Sequence, residues 1–204
     1  MRLPSWYSSA EEAQMFRTTQ FVIALSIVLV GCGSSDVSSD EDAQRAYEGL
    51  DDSIDKAITL GFQGFNAATS ANIAPQTANG AKTGTITISG QVDQGASTNK
   101  TMNLIEELKD YSDDGEITYN TNETLPVLSM KLSKIPTGTL EGSLNGRFTM
   151  AGALEGDVTL SLTFTGELQP SPVDENEVER KPGTTHITGT AASGDGRYNV
   201  DLTR

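Results

Sequence analysis

GTLEGSLNGRFTMAGALEGDVTLSLTFTGEL, running from Gly138 to Leu168, carries the strongest alternation in the chain. All 16 even-numbered positions are apolar or Gly, and 13 of the 15 odd-numbered positions are polar or charged, the others being Ala151 and Ala153. A period of two marks strands with one dry face and one wet face. With about half of residues apolar or Gly at average usage, chance gives this pattern roughly once in ten thousand trials or less. The phase survives the whole stretch, and that constrains its turns. A two-residue hairpin loop would exchange the faces, whereas a three-residue loop keeps them. Asn145-Gly146-Arg147 and Glu155-Gly156-Asp157 are therefore expected as three-residue turns, with Gly where left-handed backbone is needed. A fourteen-residue repeat agrees: Gly138-Thr-Leu-Glu-Gly-Ser-Leu matches Gly152-Ala-Leu-Glu-Gly-Asp-Val at four of seven positions. The expected arrangement is a meander of short strands closed by a longer one at 158–168. One or two very long strands with bulges satisfy the same pattern. Gly on the dry face leaves space for a bulky neighbour or a close backbone approach.

Other strands surround this stretch. Ile86, Ile88 and Val92 alternate with Thr85, Thr87 and Ser89. In 100–111, Met102, Leu104 and Leu108 share a strand face, while Leu104, Leu108 and Tyr111 also share a helix face. The strand is preferred because its neighbours are strands and Asp113-Asp114-Gly115 makes a turn behind it. Leu128, Met130 and Leu132 form another set, ended near Pro136. Tyr198, Val200 and Leu202 form the last, after the turn Ser193-Gly194-Asp195-Gly196. Residues 169–183, with three Pro and four acids, break the pattern and are expected to be a mobile loop.

Upstream the period changes. Ala43, Tyr47, Leu50, Ile54, Ala57 and Leu60 recur at spacings of three and four, which predicts a helix over 41–66. Ser39 or Asp40 caps its start, and Glu41–Arg45 and Asp52–Lys56 are i,i+4 pairs. Gly61 and Gly64 are expected to weaken its last turns. Residues 32–40 read as a solvated tether and 67–82 as a polar connector rich in Ala, Asn and Thr. The β domain is placed at 83–204. The fold class expected is mainly β: an antiparallel meander forming a β-sandwich or curved half-barrel, with one N-terminal amphipathic helix.

Composition narrows the function. The chain has 204 residues, 14 basic and 28 acidic side chains, and a formal charge of −14. Nucleic-acid binding is excluded as an expectation, because counterion release needs clustered Lys and Arg. A hydrophobic content of 36% argues against a polytopic membrane protein. One Cys rules out an intramolecular disulfide framework, and one His rules out the common multi-His metal centres.

That Cys closes a targeting segment. Residues 21–30, Phe-Val-Ile-Ala-Leu-Ser-Ile-Val-Leu-Val, are too short for a typical membrane-spanning helix but suit the apolar core of a signal peptide, with Arg17 before it. Leu29-Val30-Gly31-Cys32 follows. Here the sequence resembles bacterial lipoproteins, whose lipobox is an aliphatic residue, a small or aliphatic residue, a small residue, then Cys. The resemblance implies diacylglyceryl transfer to the Cys32 sulfur, cleavage after Gly31 and acylation of the new amino group. It covers about the first sixth of the chain. Glu11 and Glu12 are unusual in a signal peptide, and Met15-Phe16-Arg17 begins one of standard shape, so 1–31 is read as a signal peptide whose true start is Met15. Gly33 stands where, in enterobacterial lipoproteins, Asp favours inner-membrane retention, so the outer membrane is the expected destination. The mature chain, 32–204, keeps the charge of −14, because Arg2 and Arg17 cancel Glu11 and Glu12.

Little points to catalysis. His186 lies opposite in phase to Ile187 and is expected at the surface of a strand, and no nucleophile elbow, phosphate-cradling loop or dinucleotide fingerprint occurs. No cofactor is expected, with calcium as the one alternative. Asp110, Ser112 and Asp114 with the Glu116 carbonyl match the alternate oxygens and Gly of the first half of an EF-type or dockerin-type loop, which they resemble. The departure is Thr121 at the twelfth position, where a bidentate Glu belongs; a plain Asp/Gly hairpin turn accounts for the same residues. The function expected is a membrane-anchored, non-enzymatic binding or scaffolding domain at the cell envelope. Its partners would be the bilayer through acylated Cys32 and an envelope protein. The alternative is a carrier of an apolar ligand or lipid in a curved-sheet cavity.

Overall fold

The computed structural model describes residues 36–93, 95–172 and 177–204. The signal segment, Cys32 and residues 33–35 lie outside them. Two helices, α1 (Asp40–Glu48) and α2 (Asp51–Ala67), precede ten strands: β1 (Asn72–Asn79), β2 (Thr83–Val92), β3 (Lys100–Ser112), β4 (Ile117–Asn120), β5 (Val127–Ser133), β6 (Thr139–Gly152), β7 (Gly156–Pro170), β8 (Val178–Arg180), β9 (His186–Ser193) and β10 (Gly196–Thr203). All strand pairs are antiparallel, in the order β1-β2-β3-β4-β6-β7-β9-β10. β5 shares the position of β4: it pairs with the first half of β3 and the first half of β6, and β4 pairs with their far ends. β8 and β9 likewise both pair with β7, at Leu168–Pro170 and Thr159–Thr165. The sheet is curved and open, not a closed barrel, so of the two expected architectures the half-barrel is the one formed.

The alternation of 138–168 is realised in two strands of 14 and 15 residues, not in a run of short ones. β6 passes straight through Asn145-Gly146-Arg147, where a turn was expected. The reversal lies at Ala153-Leu154-Glu155, between Gly152 and Gly156, both with positive φ. Met150 pairs with Gly156 and Phe148 with Val158, so even residues meet even residues and the dry phase is kept. Leu140, Leu144, Phe148, Met150, Val158, Leu160, Leu162 and Phe164 are all buried. Gly142 is required by close approach: a Cβ there would lie 2.6 Å from Cζ of Phe164 and 2.8 Å from the Ser129 carbonyl oxygen.

The helices lie on the inner face of the sheet. The predicted stripe Ala43, Tyr47, Leu50, Ile54, Ala57 and Leu60 is buried in full, and Ser39 caps α1 by accepting from Asp42 N–H at 3.0 Å. The helix differs from the expected single element by a break at Gly49-Leu50. Gly49 packs against the ring of Tyr119, whose hydroxyl donates to the Ala46 carbonyl at 2.8 Å. Gly61 and Gly64 do not fray the end of α2; they let it approach the sheet. Cβ atoms there would lie 3.1 Å from Met102 Sδ and 2.8 Å from Ile73 Cβ. The i,i+4 partners are also replaced, since Arg45 pairs with Glu116 at 2.7 Å and Lys56 with Asp113 at 2.6 Å.

Three boundaries move. The connector 67–82 contains β1, which pairs with β2, so the sheet begins at Asn72 and not at residue 83. Residues 37–40 do not belong to a solvated tether: Val37 is buried in the core, and Ser38 donates to Asp42 through both its N–H and its hydroxyl. The loop 169–183 is largely ordered, because β7 runs to Pro170 and β8 occupies Val178–Arg180, while 173–176 lie outside the described residues. Both sheet edges are blunted against pairing with another chain. β1 carries Pro75 and a register shift between Ile73 and Gln76. On β10, Asn199 N–H donates to Asp40 Oδ1 at 2.6 Å.

Candidate binding surface

The four residues singled out for calcium sit at the β3–β4 turn with their oxygens largely engaged. Asp114 Oδ1 accepts from Glu116 N–H at 2.7 Å, Ile117 N–H at 3.1 Å and the Ser112 hydroxyl at 3.1 Å. Ser112 Oγ accepts from Gly115 N–H, Asp110 pairs reciprocally with Asn120, and the Glu116 carboxylate pairs with Arg45. This is the Asx geometry of a hairpin turn. Among the described residues no group of three or more His, Cys, Asp or Glu side chains is arranged to hold a metal ion. Nearby Asp113, expected only as a turn residue, also engages Lys56, Tyr111 and the Ala81 N–H. Burial pushes its carboxyl up, but Lys56, Tyr111 and the Ala81 N–H together hold it below its ordinary value. His186 is exposed on β9, with Nε2 2.8 Å from Asp201 Oδ1, both on the sheet face turned away from the helices. Cys32 lies outside the described residues.

The inner face is filled. Tyr47, Leu50, Ile54, Ala57 and Ile58 pack with no exposure against Ile86, Met102, Leu104, Leu144 and Phe148 in one apolar cluster. Two polar side chains are trapped in it. Glu106 is fully buried, with neither carboxylate oxygen hydrogen-bonded to any described residue, and burial pushes its pKa up to about 8. Ser53 Oγ on α2 is similarly unpaired among the described residues.

At one rim, Arg180 of β8 clamps α2. Its Nη1 and Nη2 donate to the two Asp51 carboxylate oxygens at 2.9 and 3.0 Å, and Nη2 also donates to the Asp51 carbonyl at 2.8 Å. Nε donates to Asp55 at 3.1 Å, and Tyr47 donates its hydroxyl to Asp51 Oδ1 at 2.6 Å. Burial disfavours the Arg180 charge, but the hydrogen bonds to Asp55 and Asp51 outweigh it and raise its pKa. A polar cleft of about 340 Å³ opens beside this clamp, lined by Asp52, Lys181, Thr203 and Arg204 among others. The guanidinium is committed to holding the helix and has little capacity left for a ligand. No sequence signal marked Arg180, which stands in a Pro-rich, acidic segment.

The outer face of the sheet has a different character. Strand register aligns Gln91, Asn103, Ser129, Ser143, Thr163 and Thr188 in one unbroken row across β2, β3, β5, β6, β7 and β9. The adjacent row is Ser89, Ile105, Val127, Asn145, Ser161 and Thr190. Across these six strands neither row carries a charge, in a chain of formal charge −14, although on β10 the first row ends at Asp201. Ile105 and Val127, 38% and 44% exposed, are the exposed large hydrophobic residues of the described chain, and they are direct register partners. Two shallow depressions, of about 410 and 290 Å³, flank Asn103 on this face. Charges appear in the flanking positions and mostly as opposite pairs: Lys131 opposite Glu141, Arg147 with Asp157, Lys109 with Glu107. A phase error marked this region in the sequence. Within Met102-Leu104-Glu106-Leu108 the acid stands where an apolar residue belongs, and Ile105 beside it stands where a polar one belongs.

No family model matches the chain, and no curated protein or solved structure matches it either.

Proposed function

We propose that the chain is an envelope lipoprotein, held to the bilayer by acylated Cys32, whose β body is a non-enzymatic binding or scaffolding domain. The observation that carries the reading is the contrast between the two faces. The inner face is occupied by the protein's own helices, while the outer face presents an uncharged, hydroxyl- and amide-bearing surface with an apolar pair at its centre. Recognition then belongs to the outside of the sheet. The filled inner face weighs against the alternative of an apolar ligand carried inside. The Gly33 that follows Cys32 favours the outer membrane as the destination. Several acyl chains make such an anchor stable, since each buried methylene contributes about 0.8 kcal/mol.

The test is metabolic labelling with a clickable fatty acid in a bacterial host that acylates lipoproteins, followed by membrane fractionation. The native chain is expected to carry label and to sediment with membranes, and Cys32→Ser to lose both. Label or membrane association retained by Cys32→Ser overturns the anchored reading.

A further inference from the structure

We infer that the outer sheet face, centred on Ile105 and Val127, pairs with the same face of a second copy of this chain anchored in the same membrane. The inference rests on the anchored reading above, and three observations carry it. The first is charge. Bodies of formal charge −14 repel one another over most of their surface. Across β2, β3, β5, β6, β7 and β9 the two central rows carry no charge, and around them Lys131 stands beside Glu141 and Arg147 beside Asp157, so this face is close to neutral and adds little of the repulsion that the rest of the surface exerts on a second copy. An apolar centre within a polar surround is also the usual anatomy of an interface.

The second is size. Six strand positions about 4.8 Å apart span roughly 29 Å, and three or four rows of side chains cover about 20–27 Å along the strands. The footprint is thus of the order of 600–800 Å², against about 800 Å² per partner in an interface of standard size. Curvature trims the contact, so association is weak in free solution and strengthened by confinement to a membrane plane. Edge-to-edge pairing is closed off by Pro75 on β1 and by Asp40 on β10.

The third is orientation. Val37 is already in the core, five residues after Cys32. A fully extended stretch of that length spans about 17 Å at most. Asp36 lies at the strand ends, with Arg147, Gly156, Asp157 and Gly194 around it. The anchor therefore holds that end of the sheet to the bilayer, and the outer face stands beside the membrane where a neighbour anchored in the same leaflet meets it.

The experiment is oxidative cross-linking of the full chain in membranes, with one cysteine introduced at a time. Cys32 is expected to be spent in its thioether. Ser129→Cys is expected to give a disulfide-linked homodimer, and Gln63→Cys, exposed on α2, to give background only. Adding Ile105→Asp to Ser129→Cys should reduce the cross-link to that background, and Ile105→Ser should weaken it. Cross-linking of Ser129→Cys no stronger than that of Gln63→Cys, insensitivity to Ile105→Asp, or an adduct to a chain of different mass each overturns the pairing. Fractionation of the same samples separates the two readings: membrane-bound chain without the homodimer sinks the pairing alone, and homodimer without membrane association sinks the anchor alone.

Discussion

At the scale of single residues, the most informative is Glu106. Its carboxyl is protonated in the folded protein over a range where it is ionised in the unfolded chain, because burial takes the charge out of solvent and no described residue offers it a hydrogen bond. The folded state binds the extra proton between the ordinary carboxylate value and about 8, so stability is highest below that window, falls as pH rises through it and is flat above. Glu106→Gln is expected to remove the slope, leave stability at pH 5 nearly unchanged and raise it by a few kcal/mol at pH 8. Urea unfolding at the two pH values measures this, and an equal slope in the variant rejects it. Arg180 makes the opposite case, a buried charge whose partners are in place. Arg180→Ala strands the buried Asp51 carboxylate and should cost about 3–5 kcal/mol. Denaturant titration of the variant checks the size, and a loss under about 1 kcal/mol would mean that Asp51 is resolvated. Of the two, Glu106 was open to reading from its phase, and Arg180 was not, because an ion pair across 129 residues leaves no periodic trace.

At the scale of elements, the two hydrophobic periods identify the right kinds of structure and less of their limits. The helical stripe from Ala43 to Leu60 and the strand phase of 138–168 both reach the core intact. What periodicity misses is any event that leaves the phase unchanged. Gly146 looked like a turn residue, yet β6 runs through it; there a Cβ would lie 2.6 Å from Pro126 Cα, so the Gly answers a neighbour and not a bend. The helix break at Gly49 is of the same kind: Tyr119, 70 residues on, fills the notch and donates to the Ala46 carbonyl that the break leaves free. Tyr119→Phe keeps the ring and removes that bond, so it should cost about 1–2 kcal/mol. It should also speed amide exchange at the junction of α1 and α2 more than in β6 or β7. Uniform exchange across the molecule would show that the hydroxyl does not hold the junction. β1 was missed because its segment is polar and only Ile73 is well buried, as befits an edge strand.

At the scale of the whole molecule, acidity is unevenly placed. Seven acidic side chains and two basic ones fall in α1 and in α2 up to Lys56, while the centre of the outer sheet face carries none. On the proposed anchored reading, the five residues from Cys32 to Val37 would tie the strand ends near Gly156 and Gly194 to the membrane, and β6, at 14 residues, extends about 45 Å, well beyond the reach of that stretch. A fluorophore at Asp195→Cys should therefore be quenched by spin-labelled lipid headgroups more strongly than one at Gly183→Cys, at the other end of the strands. Equal quenching, or the reverse order, would show that the body does not stand on that end.

Read without coordinates, the chain already showed an antiparallel sheet with one dry face and an amphipathic helix before it, and it carries at Cys32 the motif on which the proposed export and acylation rest. Each of these follows from local order along the chain, from alternation, helical spacing or a short motif. Tertiary structure alone decided that the sheet stays open, that the helices fill its inner face, and that β4 with β5 and β8 with β9 share strand positions. It also decided which polar groups are buried with partners, as Asp51 and Arg180 are, and which without one among the described residues, as Glu106 is. The reason is physical. Phase records which side of a strand is dry, but not what covers it, and the assembly of twelve separate side chains into two uncharged rows depends on registers between strands that local order does not set.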